Sequence, residues 1–275
     1  MKLIKMLAVG VIVVGCLLAV SVTDLFAAAE FLSLDGKVLE LGNKAEANGH
    51  IKRVESPVLQ FIRTSVTNRM GTVLLFPGGG YRVLANIHEG VDTAKFLNGY
   101  GFDVAILEYT IAAGAKTRDM ALSDALAAFR LIKKESAKYE LNGARIGIMG
   151  YSAGAHLAAR TTAALEANEQ PDDLMLIYPA YLNETAPGTA IMAVKPPVKP
   201  TARLFALIAV NDKADWVSSC REYSAVWKEA GGFAQLEILP DGGHGFGIKS
   251  NLSGSAKLWP DMLANFLTAA PADKK

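Results

Sequence analysis

Cysteine is scarce in this sequence, and neither sign of charge is in excess. The chain of 275 residues has two cysteines, Cys16 and Cys220, and 28 basic residues against 27 acidic ones. Two cysteines cannot form a cysteine metal cluster, and Cys220 has no disulfide partner if Cys16 leaves with an N-terminal leader. The net charge of +1 lacks the basic excess that phosphate binding requires, so we expect no nucleic-acid partner.

Repeats, breaks in composition and histidine clusters are missing too. Hydrophobic residues make up 51% of the chain and charged residues 20%, which excludes disordered, collagen-like and coiled-coil classes. Without a composition break, residues 30–275 are predicted to form a single domain. No His-x-x-x-His pair or Asp/His cluster occurs, so we expect no metal site and disfavour a metal-dependent hydrolase.

The N-terminus carries the longest uncharged run. A short basic start precedes Met6–Val22, 17 residues without a charge, and small residues follow at Ala27–Ala29. This layout is typical of a secretory signal peptide, so we predict that residues 1–29 direct export to the periplasm or the exterior. The alternatives are a retained membrane anchor, which would be short for a spanning helix, and lipidation of Cys16 in a lipobox-like Val-Val-Gly-Cys. The membrane is expected as a partner only in those two cases.

Short apolar runs alternate with segments of helical periodicity in the rest of the chain. Continuous apolar runs fit strands that are covered on both faces, and we predict seven: Ser56–Arg63, Thr72–Phe76, Phe102–Leu107, Arg145–Met149, Leu174–Tyr178, Leu204–Val210 and Gln235–Leu239. Apolar spacings of three and four predict four helices: Asp119–Lys134, Ala153–Ala167, Cys220–Glu229 and Ala256–Ala269. The alternation predicts an α/β fold with a mostly parallel sheet and helices on both faces.

A candidate nucleophile lies where the strand ending at Met149 meets the next helix. The sequence there is Gly150-Tyr-Ser152-Ala-Gly154, a Gly-x-Ser-x-Gly motif in a strand–turn–helix context. Its glycines permit a tight turn from which the serine hydroxyl projects above the sheet edge. The alternative is a turn of small residues that only packs the helix onto the sheet.

A serine nucleophile needs a base that accepts its proton, and histidine is the usual one. In sheets of this connectivity the chain order is serine, acid, histidine. His244 follows Ser152, lies just past the last predicted strand and is flanked by glycines. His156 lies on the same helix as the serine and is predicted to be structural, and we interpret His50 and His88, which precede the serine, as loop residues.

The acid that orients the histidine is expected on the loop after the strand that ends at Val210. Two candidates occur there, Asp212 and Asp215. Asp212 comes at once after the strand, whereas Asp215 lies closer to Val217, a residue that often follows the acid by three positions. The two spacings disagree, and we prefer Asp212.

An oxyanion formed by attack on an ester needs backbone N–H donors. The sequence Phe-Pro-Gly-Gly79-Gly80-Tyr follows an early strand, and glycine amides allow a substrate to approach closely. Together with the amide of Ala153, they form a candidate oxyanion hole. The alternatives are a plain turn and a phosphate-binding loop, but no Gly-Lys-Ser/Thr follows, which excludes a P-loop.

Four segments in order carry a family resemblance: Leu75–Tyr81, His88–Gly90, Ile146–Leu157 and Asp241–Gly247. The chain resembles the α/β-hydrolase serine esterases, and among them the acetyl esterases and acetylxylan-esterase-like carbohydrate esterases, from about Ser56 to Leu267. The resemblance implies one catalytic domain, no cofactor, and hydrolysis of short-chain esters, often acetyl groups on carbohydrate. It implies these roles: Ser152 as nucleophile, His244 as base, Asp212 as acid, and Gly79, Gly80 and Ala153 as the oxyanion hole.

Two other function classes stay open. A serine peptidase or other acyl hydrolase of the same fold would need an accessory domain or an amine-binding acidic pair, and a non-catalytic binding protein would lack a triad member. The one sizeable excursion, Tyr181–Ala202, is long enough for a flap but not for a cap domain. We therefore expect an open site that suits a small acyl group on a bulky alcohol or carbohydrate.

Overall fold

The computed structural model describes residues 30–183 and 202–269. The predicted leader, residues 1–29 with Cys16, and residues 184–201 of the predicted flap lie outside the described residues. The strands are β1 (Glu30–Ser33), β2 (Val38–Leu39), β3 (His50–Ile51), β4 (Val58–Ile62), β5 (Gly71–Phe76), β6 (Leu84–Ala85), β7 (Phe102–Glu108), β8 (Ile146–Tyr151), β9 (Asp173–Ile177), β10 (Arg203–Ala209) and β11 (Phe233–Leu239). The α-helices are α1 (Asp92–Gly99), α2 (Thr117–Glu135), α3 (Ala153–Ala164), α4 (Ala214–Glu229) and α5 (Trp259–Thr268).

Nine of these strands form one sheet in the order β11-β10-β9-β8-β5-β7-β4-β1-β2. The six strands from β11 to β7 are parallel, and β4, β1 and β2 extend the sheet antiparallel. Strands β5, β7, β8, β9 and β10 are buried along their whole length, as expected for a sheet covered on both faces. The predicted mostly parallel α/β sheet is confirmed.

The chain reverses its direction across the sheet at β5. It passes from β5 outward to β7 and then returns across β5 to β8. Because connections between parallel strands are right-handed, this reversal places α1 and α2 on opposite faces of the sheet. A crevice for ligands opens at such a switch point, outside the carboxyl ends of the strands. The glycine loop after β5 and the serine turn after β8 meet there.

All seven predicted strands are confirmed, but the short ones were missed. Strands β1, β2, β3 and β6 have two to four residues each and lack an apolar run. They depend on partners elsewhere in the chain; β3, for example, pairs with β6, and its Ile51 also forms a bridge with Ala45. The interpretation of His50 and His88 as loop residues was wrong, because His50 lies in β3 and His88 in a π-helical turn, Ile87–Val91.

The helices differ from the predictions mainly at their ends. α2 agrees to within two residues, but it buries Ala121, Ala125 and Ala128 more fully than the leucines between them. α3 ends at Ala164 rather than Ala167. α4 begins six residues before the predicted start at Cys220, and α1 was not predicted. No helix within the described ranges is long and apolar enough to span a bilayer.

Candidate active site

Four loops bring the sequence-predicted residues to one edge of the sheet. Ser152 follows β8, the glycine loop follows β5, Asp212 follows β10 and His244 follows β11. These four strands are parallel, so their carboxyl ends lie along the same edge. Residues that are about 170 positions apart in the chain therefore become neighbours.

Ser152 lies in a strained turn whose geometry depends on its two flanking glycines. Its φ is +51° and its ψ −115°, a conformation that L-residues rarely adopt. A Cβ on Gly150 would lie 2.2 Å from the carbonyl oxygen of Gly154, and one on Gly154 would lie 2.1 Å from the carbonyl oxygen of Phe76. Neither position tolerates a side chain. The Ser152 amide donates to the carbonyl of Ile177 at 3.0 Å, which anchors the turn to β9.

Strained backbone is concentrated around this turn. Six non-glycine residues in the described ranges have positive φ. Four of them, Tyr81, Ser152, Tyr178 and Tyr181, adjoin the glycine loop, the serine or the histidine through ring contacts or sequence. Such strain persists only where the surrounding structure holds it, and it is typical of functional sites.

A chain of two hydrogen bonds links the three predicted triad residues. Ser152 Oγ lies 2.7 Å from His244 Nε2, and His244 Nδ1 lies 2.7 Å from Asp212 Oδ2. The Asp212 side chain is 1% exposed and that of His244 31%. A carboxylate that accepts from Nδ1–H leaves the Nε2 lone pair of a neutral imidazole facing the serine hydroxyl. This arrangement can move a proton off the serine.

The structure places Asp212, and not Asp215, against the histidine. The Asp212 amide donates to the carbonyl of Ala209 at 3.1 Å in a tight turn directly after β10, and this turn directs the carboxylate toward His244. Asp215 lies exposed in the first turn of α4, where an acidic side chain is favoured by the helix dipole. Asp215 and Val217 both lie in the first turn of α4, so the spacing between them reflects the start of this helix.

Side chains around the histidine loop hold the imidazole in place. The Gly243 amide donates to the Asn211 side-chain oxygen at 2.8 Å. The rings of Tyr178 and Trp216 lie 5.0 and 4.8 Å from the His244 ring, centroid to centroid. These contacts restrict the loop, whose glycines have positive φ.

The glycine loop presents free backbone donors beside the serine. A Cβ on Gly78 would lie 3.0 Å from the Cβ of Ser152, so the two loops are in contact. In the described part of the chain the amides of Gly79 and Gly80 donate to no acceptor. Ala153 is the first residue of α3, so its amide has no acceptor within the helix. Contact at Gly78 thus brings the glycine loop to Ser152, and Ala153 follows Ser152 directly in the chain; the role of the three amides as an oxyanion hole stays a prediction.

Sequence reasoning missed the role of Glu89, which it noted only as part of a motif. This carboxyl is 3% exposed and accepts hydrogen bonds from the Gly78 amide and the Tyr178 hydroxyl, each at 2.7 Å. Burial raises the pKa of Glu89, against the lowering effect of the bonds from Tyr178 and Gly78. The sequence marks Glu89 only as the acidic residue of the segment His88–Gly90 and gives no sign of its two partners.

His156 packs behind the glycine loop. The side chain is fully buried, and its Nδ1 lies 2.8 Å from the Tyr81 hydroxyl. Burial holds the pKa of His156 well below its usual value, so the imidazole is neutral. It lies outside the Ser152–His244 hydrogen bond, in agreement with the predicted structural role.

Potential metal ligands do not cluster in the described residues. Nowhere in residues 30–183 and 202–269 do three or more histidine, cysteine or acidic side chains come together in a way that could hold a metal ion.

The sequence matches a protein-family model and curated proteins. The BD-FAE family model matches residues 61–195. The chain is 28% identical over 224 residues to an acetylxylan esterase of Xylanibacter ruminicola, and the alignment covers 72% of this chain and 45% of that esterase. The chain thus spans less than half the length of this relative.

Solved structures share the fold. An acetyl ester-xyloside bifunctional hydrolase from Caldicellulosiruptor lactoaceticus superposes with a TM-score of 0.65 at 25% identity, covering 77% of this chain and 87% of that one. MGS-M1, an α/β hydrolase from a Medee basin deep-sea metagenome, gives 0.63 at 22% identity, covering 77% and 91%. These likenesses confirm the predicted fold class.

Proposed function

We propose that this chain, whose fold is that of α/β hydrolases and whose sequence is similar to that of an acetylxylan esterase, hydrolyses short-chain esters, chiefly acetyl esters, through Ser152, His244 and Asp212. The proposal rests on the two hydrogen bonds that link these three side chains. The arrangement combines a nucleophile on a strained turn, a base within 2.7 Å of it, and a carboxylate within 2.7 Å of the base.

The proposed reaction has two similar halves. His244 accepts the Ser152 proton as the hydroxyl oxygen attacks the acyl carbon, and the negative charge that develops on the carbonyl oxygen is stabilised by the amides of Gly79, Gly80 and Ala153. Protonated His244 then donates its proton to the leaving alcohol, and an acyl-enzyme remains. His244 then accepts a proton from water as the water oxygen attacks this ester, and it returns that proton to Ser152 Oγ as the carboxylic acid leaves.

The proposed natural substrate is an acetyl ester on carbohydrate. The acetylxylan esterase and the acetyl ester-xyloside hydrolase that the chain resembles support this class. Half-buried aromatic side chains at the site also fit it: Trp216 lies against His244, and its ring packs on that of Tyr181 at 5.6 Å. Aromatic rings offer broad apolar faces with polar edges, which complement a sugar ring.

The test is hydrolysis of 4-nitrophenyl acetate, butyrate and octanoate, followed by acetate release from acetylated xylan. We expect kcat/KM to fall by at least about tenfold from acetate to octanoate, and acetate to be released from the polysaccharide. A preference for octanoate would contradict the short-chain specificity. Activity on 4-nitrophenyl acetate without release from acetylated xylan would contradict the carbohydrate substrate but not the esterase.

Export is proposed as well, from the sequence of residues 1–29. A charged start, an uncharged run and small residues at Ala27–Ala29 support a leader that is cleaved there. The N-terminal residue of the chain recovered from a bacterial host tests this. A chain that still begins at Met1 would contradict cleavage, and one that begins at a lipid-modified Cys16 would instead support lipidation.

A further inference from the structure

Glu89 lies in the π-helical turn beneath the site, and its two carboxylate oxygens hold two different loops. Oε2 accepts from the amide of Gly78, the glycine that contacts Ser152, and Oε1 accepts from the hydroxyl of Tyr178. Burying a carboxylate is costly unless its oxygens are hydrogen-bonded. Both oxygens of Glu89 are hydrogen-bonded, and these bonds offset the cost of burying the carboxylate.

The Tyr178 hydroxyl passes this connection on to the histidine loop. It accepts from the amide of Gly247 at 2.8 Å while it donates to Glu89. Two more bonds fix the same stretch: the Ile248 amide donates to the carbonyl of His88 at 2.8 Å, and Trp259 Nε1 donates to the carbonyl of Gly247 at 3.0 Å. The histidine loop is therefore hydrogen-bonded to the turn that carries Glu89 and packs on it.

Space at this junction is filled. A Cβ on Gly247 would lie 2.6 Å from the ring of His88 and 3.3 Å from Cγ of Glu89, and one on Gly78 would lie 2.6 Å from Glu89 Oε2. The loop that carries the base and the loop that supplies the oxyanion donors thus meet the same side chain.

We propose that Glu89 is a positioning residue that fixes the glycine loop and the histidine loop relative to Ser152. The inference rests on the proposed function, and it adds a residue that touches neither the substrate nor the reacting atoms. Its carboxylate sets the direction of the Gly78 peptide, next to the donors at Gly79 and Gly80, and through Tyr178 it sets the position of the loop that carries His244.

The chemistry requires a carboxylate at this position. Both neighbours of Glu89 are donors, and a carboxylate accepts from both. In Glu89→Gln one amide oxygen can accept only from one side, and the NH₂ group then faces the other donor. Glu108 provides the matched control. It is 1% exposed, and its Oε2 alone accepts from both the amide and the side chain of Asn43, so that the oxygen of a glutamine can retain both bonds.

The experiment compares Glu89→Gln, Tyr178→Phe and Glu108→Gln in the full chain with 4-nitrophenyl acetate. We expect Glu89→Gln to lose about 10- to 100-fold in kcat with little change in KM. Misplaced loops weaken contacts to the transition state more than contacts to the bound substrate. Tyr178→Phe should lose about tenfold. Glu108→Gln should stay within about twofold of the wild type. Rates are expressed per active site, and the active sites are counted from the initial burst of 4-nitrophenol.

Two further readouts separate positioning from a general loss of structure. The affinity for a methyl trifluoromethyl ketone, which forms an oxyanion on the serine, should fall in Glu89→Gln by the same factor as kcat/KM. Hydrogen exchange at residues 78–81 and 242–248 should accelerate in Glu89→Gln and not in Glu108→Gln. This exchange needs no substrate, so it reports on Glu89 even if the protein cleaves no ester.

The proposal is overturned if Glu89→Gln keeps kcat within twofold of the wild type per titrated site, or if it loses no more than Glu108→Gln. It is also overturned if ketone affinity is unchanged while kcat falls. If Glu89→Gln does not fold, Tyr178→Phe decides alone, and an unchanged kcat in that variant contradicts the link to the histidine loop. A wild-type protein without Ser152-dependent activity contradicts the proposed function instead.

Discussion

Replacing Ser152 by alanine is expected to lower kcat/KM for 4-nitrophenyl acetate by roughly four to six orders of magnitude. The Ser152 hydroxyl lies 2.7 Å from His244 Nε2 on a turn that contacts the glycine loop, so it is placed to attack a carbonyl there. Alanine fits the same turn, because it adds no atoms where Gly150 and Gly154 are tightly packed. We therefore expect the thermal unfolding midpoint to change little, and the activity loss to be chemical.

The control for this substitution is Ser218→Ala. Ser218 lies exposed on α4, and its hydroxyl donates only to the nearby carbonyl of Asp215, so kcat/KM should remain within about twofold of the wild type. Ser152→Ala activity above about one per cent of the wild type would contradict the assignment, since the residual catalysis of a site without its nucleophile is far lower.

Replacing Asp212 by asparagine should lower kcat by about 10⁴-fold. The carboxylate accepts a hydrogen bond from His244 Nδ1–H at 2.7 Å. This bond fixes the tautomer whose Nε2 accepts from serine, and it stabilises the imidazolium that forms. An amide can present its NH₂ group to Nδ1 and favour the wrong tautomer. The side chain is buried at 1% exposure, so water cannot take over its role.

Asp215→Asn is the matched comparison, three residues further along the same loop and helix. Its carboxylate is exposed in the first turn of α4, and we expect kcat within about twofold of the wild type and a small loss of helix stability. If Asp215→Asn lost the larger share of kcat and Asp212→Asn kept it, the loop would have to rearrange in solution, and the assignment of the acid would be wrong.

Much of the sheet was predictable because its central strands bury both faces. Strands such as β5, β8 and β10 are continuous apolar runs that no solvated loop would contain. Edge strands β1 and β2 were not predictable, because their pairing arises from partners distant in the chain. The start of α4 was missed because its first turn, Ala-Asp-Trp-Val, carries a charge among apolar residues, and the observed cap at Lys213 is not a typical N-cap.

Some residues of the candidate site were also predictable from the sequence, and others were not. Ser152 and His244 were predictable because the serine turn and the histidine loop both require glycines, which are visible in the sequence. The choice of Asp212 over Asp215 was not fixed by spacing, because it depends on where the helix starts. The contacts of Glu89 were beyond prediction, because they arise only when the fold brings Gly78 and Tyr178 to its carboxylate, and Gly247 to the Tyr178 hydroxyl.

The most direct test of the account is to trap the nucleophile. The purified protein is treated with paraoxon, and the modified residue is located by peptide mass spectrometry. We expect one diethylphosphoryl group per chain, on Ser152, appearing at the rate at which esterase activity disappears, and much slower labelling in His244→Ala. Activity that disappears while Ser152 stays unmodified, or labelling of Ser152 without loss of activity, would contradict a mechanism through this serine.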